Sequence, residues 1–96
     1  MSKDEILEQL KTVVDPEIGI DIVSLGLIYE VKIENEEVKI KMTMTTPACP
    51  LSGLLVSDVE ATLRRMGIKK YDVQLVFDPP WTPDMMDEKV RNAMGL

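Results

Sequence analysis

Apolar residues recur along this chain with two different periods, and the period changes mark its elements. Ile6, Leu7, Leu10, Val13 and Val14 follow the spacing of a helix face. Ser2-Lys3-Asp4-Glu5 in front of them matches a capping box, in which Ser2 accepts from the Glu5 N–H while Glu5 reaches back. Pro16 disfavours helix at Asp15, so the first helix should stop near Val14. The stretch DPEIGIDIVSLGL that follows, with Gly19 and Gly26, reads as a loop. Then the period becomes two. Tyr29, Val31 and Ile33 alternate with Glu30, Lys32 and Glu34. After a turn at Glu34 to Glu37, Val38, Ile40, Met42 and Met44 alternate with Lys39, Lys41, Thr43 and Thr45. The two runs form a β-hairpin with one dry face.

Helical spacing returns after Pro50, a residue suited to a first helical position. Leu51, Leu55, Val59, Leu63 and Met66 fall on one stripe, widened by Leu54 and Ala61, and Gly67 is a natural stop. Tyr71, Val73, Leu75 and Phe77 then alternate with Asp72, Gln74 and Asp78 as a third strand, which Pro79-Pro80 ends. Thr82-Pro83 predicts the capped start of a last helix with Met85, Met86 and Val90 inside. The order α-β-β-α-β-α, with every strand dry on one face only, calls for an α+β two-layer sandwich with helices on one side of a small sheet. The third strand can join either edge of the hairpin.

Composition narrows the reading. Residues 1–96 fit a single domain. Aromatics make up only 4%, so aliphatic side chains and seven methionines must fill the interior. The net charge is −6, and no basic cluster is larger than Arg64-Arg65 or Lys69-Lys70. That argues against nucleic acid and anionic membrane as partners. The start of the chain has no apolar signal core and no run approaches membrane-spanning length, so a cytoplasmic protein is expected. One cysteine allows no internal disulfide. The absence of histidine removes Ser-His-Asp and Cys-His catalysis within one chain, and His-based metal sites.

The lone thiol, Cys49, sits in TTPACP between the second strand and the second helix. Unpaired N–H groups and the dipole at a helix start favour a thiolate there. Thr45 and Thr46 could donate to that thiolate or to a ligand sulfur. The plainer reading is a small buried hydrophobe. One thiolate cannot complete a four-ligand metal site, so the remaining ligands would come from a second subunit, a partner or a small thiol. Asp15, Glu17 and Asp21 lie in the loop after the first helix, and beside Cys49 they would raise its pKa. Such a thiol suits a metal, whose charge reverses the local sign, better than it suits nucleophilic catalysis. The plainer reading of Asp15-Pro16-Glu17 is a helix terminator with exposed carboxylates. Trp81, in DPPWTP, is either packed under the last helix or a rigid aromatic lip that meets a partner. Met42 and Met44 belong to the dry strand face and read as core.

DPEIGIDIVSLGLIYEV, MTTPACPL and FDPPWTP, in this order and over nearly the whole chain, resemble the SufT/PaaD-type family of iron–sulfur cluster assembly proteins. That family includes the eukaryotic cytosolic iron–sulfur targeting factor and a domain fused to some P-loop iron–sulfur carriers. The resemblance implies a two-layer α+β fold and a role in maturing iron–sulfur proteins, by carrying a cluster or by targeting it to client apoproteins, without turnover of its own. It implies that Cys49 is the family's reactive cysteine, either as a cluster ligand or as a thiol that helps hand a cluster over. It implies a supporting pocket of Asp15, Glu17, Asp21, Ser24, Gly26, Thr45 and Thr46, with Trp81 as the C-terminal aromatic. The partners it implies are iron–sulfur apoproteins and other assembly factors, with a transiently held iron–sulfur cluster, and a homodimer could bring two thiolates together. The extra cysteines of the PaaD branch are absent, which favours the general maturation branch. Two other readings stand beside this one. The chain could be an adaptor that binds clients through its acidic surface and Trp81, or a cysteine-dependent redox enzyme, which lacks a resolving cysteine.

Overall fold

The computed structural model describes residues 2–45 and 52–95. Helix α1 spans Lys3–Leu10, and Ser2 caps it by accepting from the Glu5 N–H at 3.2 Å. It ends before the expected Val14. Thr12-Val13-Val14 is a β-branched run that favours extended backbone. The Thr12 hydroxyl donates to Gln9 O at 2.8 Å, and the Val13 carbonyl accepts from Ile22 N at 3.0 Å. The segment read as a loop therefore contains a small antiparallel ladder, β1 (Val14–Asp15) against β2 (Ile20–Asp21).

The main sheet has three strands, β3 (Ile28–Glu34), β4 (Glu37–Met42) and β5 (Lys70–Leu75), in the order β3-β4-β5. The third predicted strand thus joins the second, leaving the first as the opposite edge. β3 and β4 form the expected hairpin. Asn35 and Glu36 between them have φ of 48° and 69°, the left-handed pair that a two-residue turn needs to match strand twist. β4 and β5 run parallel, which requires a crossover, and helix α2 (Ser52–Arg65) lies in it.

One face of the sheet carries the core. Val38, Ile40 and Met42 of β4 are fully buried and align with Tyr71, Val73 and Leu75 of β5. Ile6 and Leu10 of α1 and Leu55, Val59 and Leu63 of α2 join the same apolar cluster. On the other face the charges pair: Lys41 with Glu30 at 3.5 Å, and Lys32 with Glu34 at 3.0 Å. The hydrogen bond from Lys32, reinforced by its charge, holds the Glu34 carboxyl below the usual carboxylate range. The same bond holds Lys32 above the usual ammonium range. Both groups are exposed, so these pairs keep the face wet and contribute little to stability. The α+β two-layer arrangement matches the expectation from sequence.

Several boundaries differ. Leu54 was expected to widen the α2 stripe but is 50% exposed. It lies about 100° around the helix from Leu55, and nothing among the described residues covers it there. β4 stops at Met42 and β5 at Leu75, short of Thr45 and Phe77. Thr43 was assigned to the wet face but is fully buried. The last helix is split. Pro83–Met85 is a 3-10 turn, and α3 is Glu88–Ala93, capped by Asp87 accepting from Lys89 N at 2.9 Å. Thr82 makes no capping bond, because the chain turns again at Met86 before the helix proper begins.

Burial separates two similar-looking substitutions. Ile40→Ala, at the centre of the sheet, should cost about 2–5 kcal/mol in urea unfolding, whereas Leu54→Ala should stay within about 0.5 kcal/mol. Equal losses at the two positions would contradict this packing.

Candidate functional site

Two carboxylates build the segment that leads into β3. Asp15 is buried, and its Oδ1 accepts from Glu17 N at 2.9 Å, closing an Asx turn over Pro16. The Asp15 carbonyl also accepts from Gly19 N at 2.7 Å, with Gly19 at φ +79°. Asp21 repeats the device: its Oδ2 accepts from Ser24 N at 2.9 Å and its carbonyl from Leu25 N at 3.1 Å. Asp15 is therefore not the exposed helix terminator that its Asp-Pro context suggested. It is a turn former placed beside β2, while Glu17 is exposed on the same turn.

The second turn delivers the chain to the end of the central strand. Leu27 O accepts from Thr43 N at 2.9 Å, and on the other side Val76 N donates to Met42 O at 2.8 Å. Three segments thus meet where β4 ends: the Asp21–Leu27 turn, the exit of β5, and Thr43 to Thr45. Thr45 is half-buried there. Thr46 and Cys49 lie outside the described residues, as do Pro47, Pro50 and the predicted first turn of the second helix. Chain order still fixes that Cys49 lies between Thr45 at this junction and the start of α2 at Ser52. The Thr43 hydroxyl is buried here without a hydrogen-bond partner among the described residues. Also among them, no group of three or more His, Cys, Asp or Glu gathers as a metal site.

A C-terminal strap, residues 78–87, holds the second turn in place. Ile28 and Leu75 align with Met42 from opposite sides, so a chain running from Leu75 to the start of β3 must pass the end of β4. It is tied down at four points. Trp81 Nε1 donates to Leu25 O at 2.7 Å, Asp87 N donates to Ser24 O at 2.8 Å, and the Tyr29 hydroxyl bonds Pro79 O at 2.8 Å. The fourth is a close approach. Gly26 has φ +77°, and a Cβ there would run into the Met85 carbonyl. This strap passes the sheet end where Thr43 is buried.

Trp81 is therefore an inward strut rather than an exposed lip. It is half-buried against the core and spends its only N–H on the turn. Tyr29, read from sequence as an ordinary strand residue, sits at the irregularity between Ile28 and Glu30 and takes part in the same clamp. Its signal was the phenol, which seeks a partner when half-buried. Ser24 and Gly26 act through their backbone, a role that no side-chain pattern discloses.

Residues 3–77 match the iron–sulfur cluster assembly protein family. The chain belongs to that family. It is 40% identical, over 98% of its length, to the Fe–S protein maturation auxiliary factor YitW of Bacillus subtilis, and covers 94% of that protein. To the Fe–S protein maturation auxiliary factor SufT of Staphylococcus aureus it is 41% identical over 88% of its length, covering 98% of that relative. A crystal structure of a domain of unknown function from Bacillus anthracis superposes with a TM-score of 0.90 at 37% identity, covering 98% of this chain and 92% of that one. The family match ends at residue 77, so the strap lies beyond it, although the full-length relatives extend across it.

The strap should be measurable as a clamp. Trp81→Phe keeps the ring and removes the N–H, leaving the Leu25 carbonyl unpaired, and should cost about 1–2 kcal/mol. Amide exchange should accelerate at Ser24 to Leu27 and stay unchanged in β4. Gly26→Ala should cost about 2 kcal/mol or more, since both its φ and the Met85 carbonyl oppose a Cβ. Unaltered protection of the turn in both variants would rule the clamp out.

Proposed function

We propose that this protein is a maturation factor for iron–sulfur proteins, and that Cys49 is the thiolate through which it accepts or hands over a cluster. The observation that carries this reading is the match, along nearly its whole length, to proteins named Fe–S protein maturation auxiliary factors. The cluster is cargo, and no turnover is assigned to the protein itself. A single thiolate leaves most positions around a cluster to be filled from elsewhere. Such a complex is suited to exchange with a client or with a second copy of the chain. Clients are then iron–sulfur apoproteins, and the compartment is the cytoplasm. No helix among the described residues is long and apolar enough to cross a membrane, in keeping with that reading.

Asp15 and Asp21 serve this role by shaping the turns, not as ligands. Each spends a carboxylate oxygen on a backbone N–H. Glu17, Thr45, Thr46 and the buried Thr43 hydroxyl are the polar groups assigned to the surroundings of the cargo. Of the readings weighed from sequence, the adaptor reading would have to use a Trp81 that is half-buried and whose indole N–H is bonded to the turn. The redox-enzyme reading has gained no second thiol.

Anaerobic incubation with ferric iron, sulfide and excess small thiol as reductant tests the proposal. The wild-type protein should develop visible cluster absorption and then activate an apo-client, and Cys49→Ala should do neither. Identical behaviour of the two proteins in both assays would refute a role for Cys49 in carrying cargo.

A further inference from the structure

The corner where α2 turns into β5 carries a charge pattern unlike the rest of the molecule. Residues 61–71, ATLRRMGIKKY, hold four basic side chains and no acid, in a chain of net charge −6. Arg64 donates to the Tyr71 hydroxyl at 2.7 Å and Arg65 to the Thr62 hydroxyl at 3.0 Å. Among the described residues, none of Arg64, Arg65, Lys69 and Lys70 has a carboxylate within ion-pair distance, whereas the lysines of the outer sheet face do. At this corner lies a groove of about 690 Å³ lined by Ile33, Met66, Ile68, Lys69 and Lys70, with Glu36 as its one acidic wall. Arg64 and Tyr71 line a second groove that shares Gly67, Ile68 and Lys69 with the first. The floor is apolar and the rim is basic.

We infer that this groove docks a segment of a partner protein in which an apolar side chain is flanked by aspartate or glutamate. Charge complementarity selects the occupant. Unpaired cations on an otherwise acidic protein attract carboxylates, while the net negative charge repels an extended polyanion. The Ile33–Met66–Ile68 floor demands an apolar side chain that a nucleic-acid backbone does not offer. A second copy seated here would have to present such an apolar and acidic segment itself, an outcome that sedimentation tells apart. The location suits docking. α2 has 14 residues, about 20 Å of helix, and the groove lies at its C-terminal end. The Cys49 stretch precedes its N-terminal end. A partner seated in the groove sits at the opposite end of α2 from Ser52, so the inference stands whether or not Cys49 carries a cluster.

The test is fluorescence anisotropy with a labelled peptide containing two leucines among glutamates and aspartates. Two control peptides carry Leu→Ser or Glu→Gln and Asp→Asn changes. The wild-type protein should bind the first peptide and lose it as salt is raised. Both control peptides should bind about tenfold more weakly or not at all. Lys69→Glu with Lys70→Glu should weaken binding about tenfold or more. The same charge change placed elsewhere, Lys3→Glu with Lys89→Glu, should leave most of it. All four lysines are exposed, so the variants should keep the wild-type circular dichroism and melting. Amide chemical shifts on titration should move at Ile33 and at Met66 to Lys70. Absence of binding, equal loss in the two double variants, or tighter binding of an oligothymidylate than of the peptide would overturn the proposal. So would self-association in sedimentation that Lys69→Glu with Lys70→Glu abolishes.

Discussion

Everything distinctive in this molecule depends on how the central strand ends. β4 is bonded to a neighbour on each side along its whole length. Past Met42 the ladder does not stop abruptly: Val76 N reaches Met42 O, and Thr43 N reaches Leu27 O. Those two bonds fix where the Asp21–Leu27 turn, the exit of β5 and the Thr43 to Thr45 segment meet. Buried backbone groups must be paired, so the strand end works as a junction with few alternative geometries. The core below supplies stability, and the junction supplies position.

The division of labour within the loop between α1 and β3 follows from the same demand. A carboxylate that closes a turn by accepting a backbone N–H is held in one rotamer. Asp15 and Asp21 are used in this way, six residues apart, to make two consecutive turns from a short run of chain. Building turns with them lets the loop be acidic in sequence and ordered in structure.

The three strands and the α2 helix were legible from periodicity, because Val38-Ile40-Met42 and Leu55-Val59-Leu63 repeat without interruption, and the cap of α1 was legible from Ser2 and Glu5. What was not legible rests on backbone. Nothing in the letters Gly26 and Met85 says that one lies beneath the other. The Val14–Asp21 ladder is too short to give a pattern. Thr43 continues an alternation whose meaning changes once the strap passes that end of the sheet. Trp81 could be read as strut or lip until its N–H had a partner. Cys49 was located by chain order, and its chemistry was inferred from its neighbours in sequence and from the family.

The strap also divides the molecule into parts of unequal permanence. It begins beyond β5, whose parallel pairing with β4 joins residues far apart in the chain and needs α2 laid down between them. Its anchors to Leu25, Ser24 and Tyr29 are bonds distinct from those of the β3-β4-β5 ladder. The Asp21–Leu27 turn thus has a fastening of its own, made by Trp81, Asp87 and Pro79 and separate from the bonds that build the sheet and the helices.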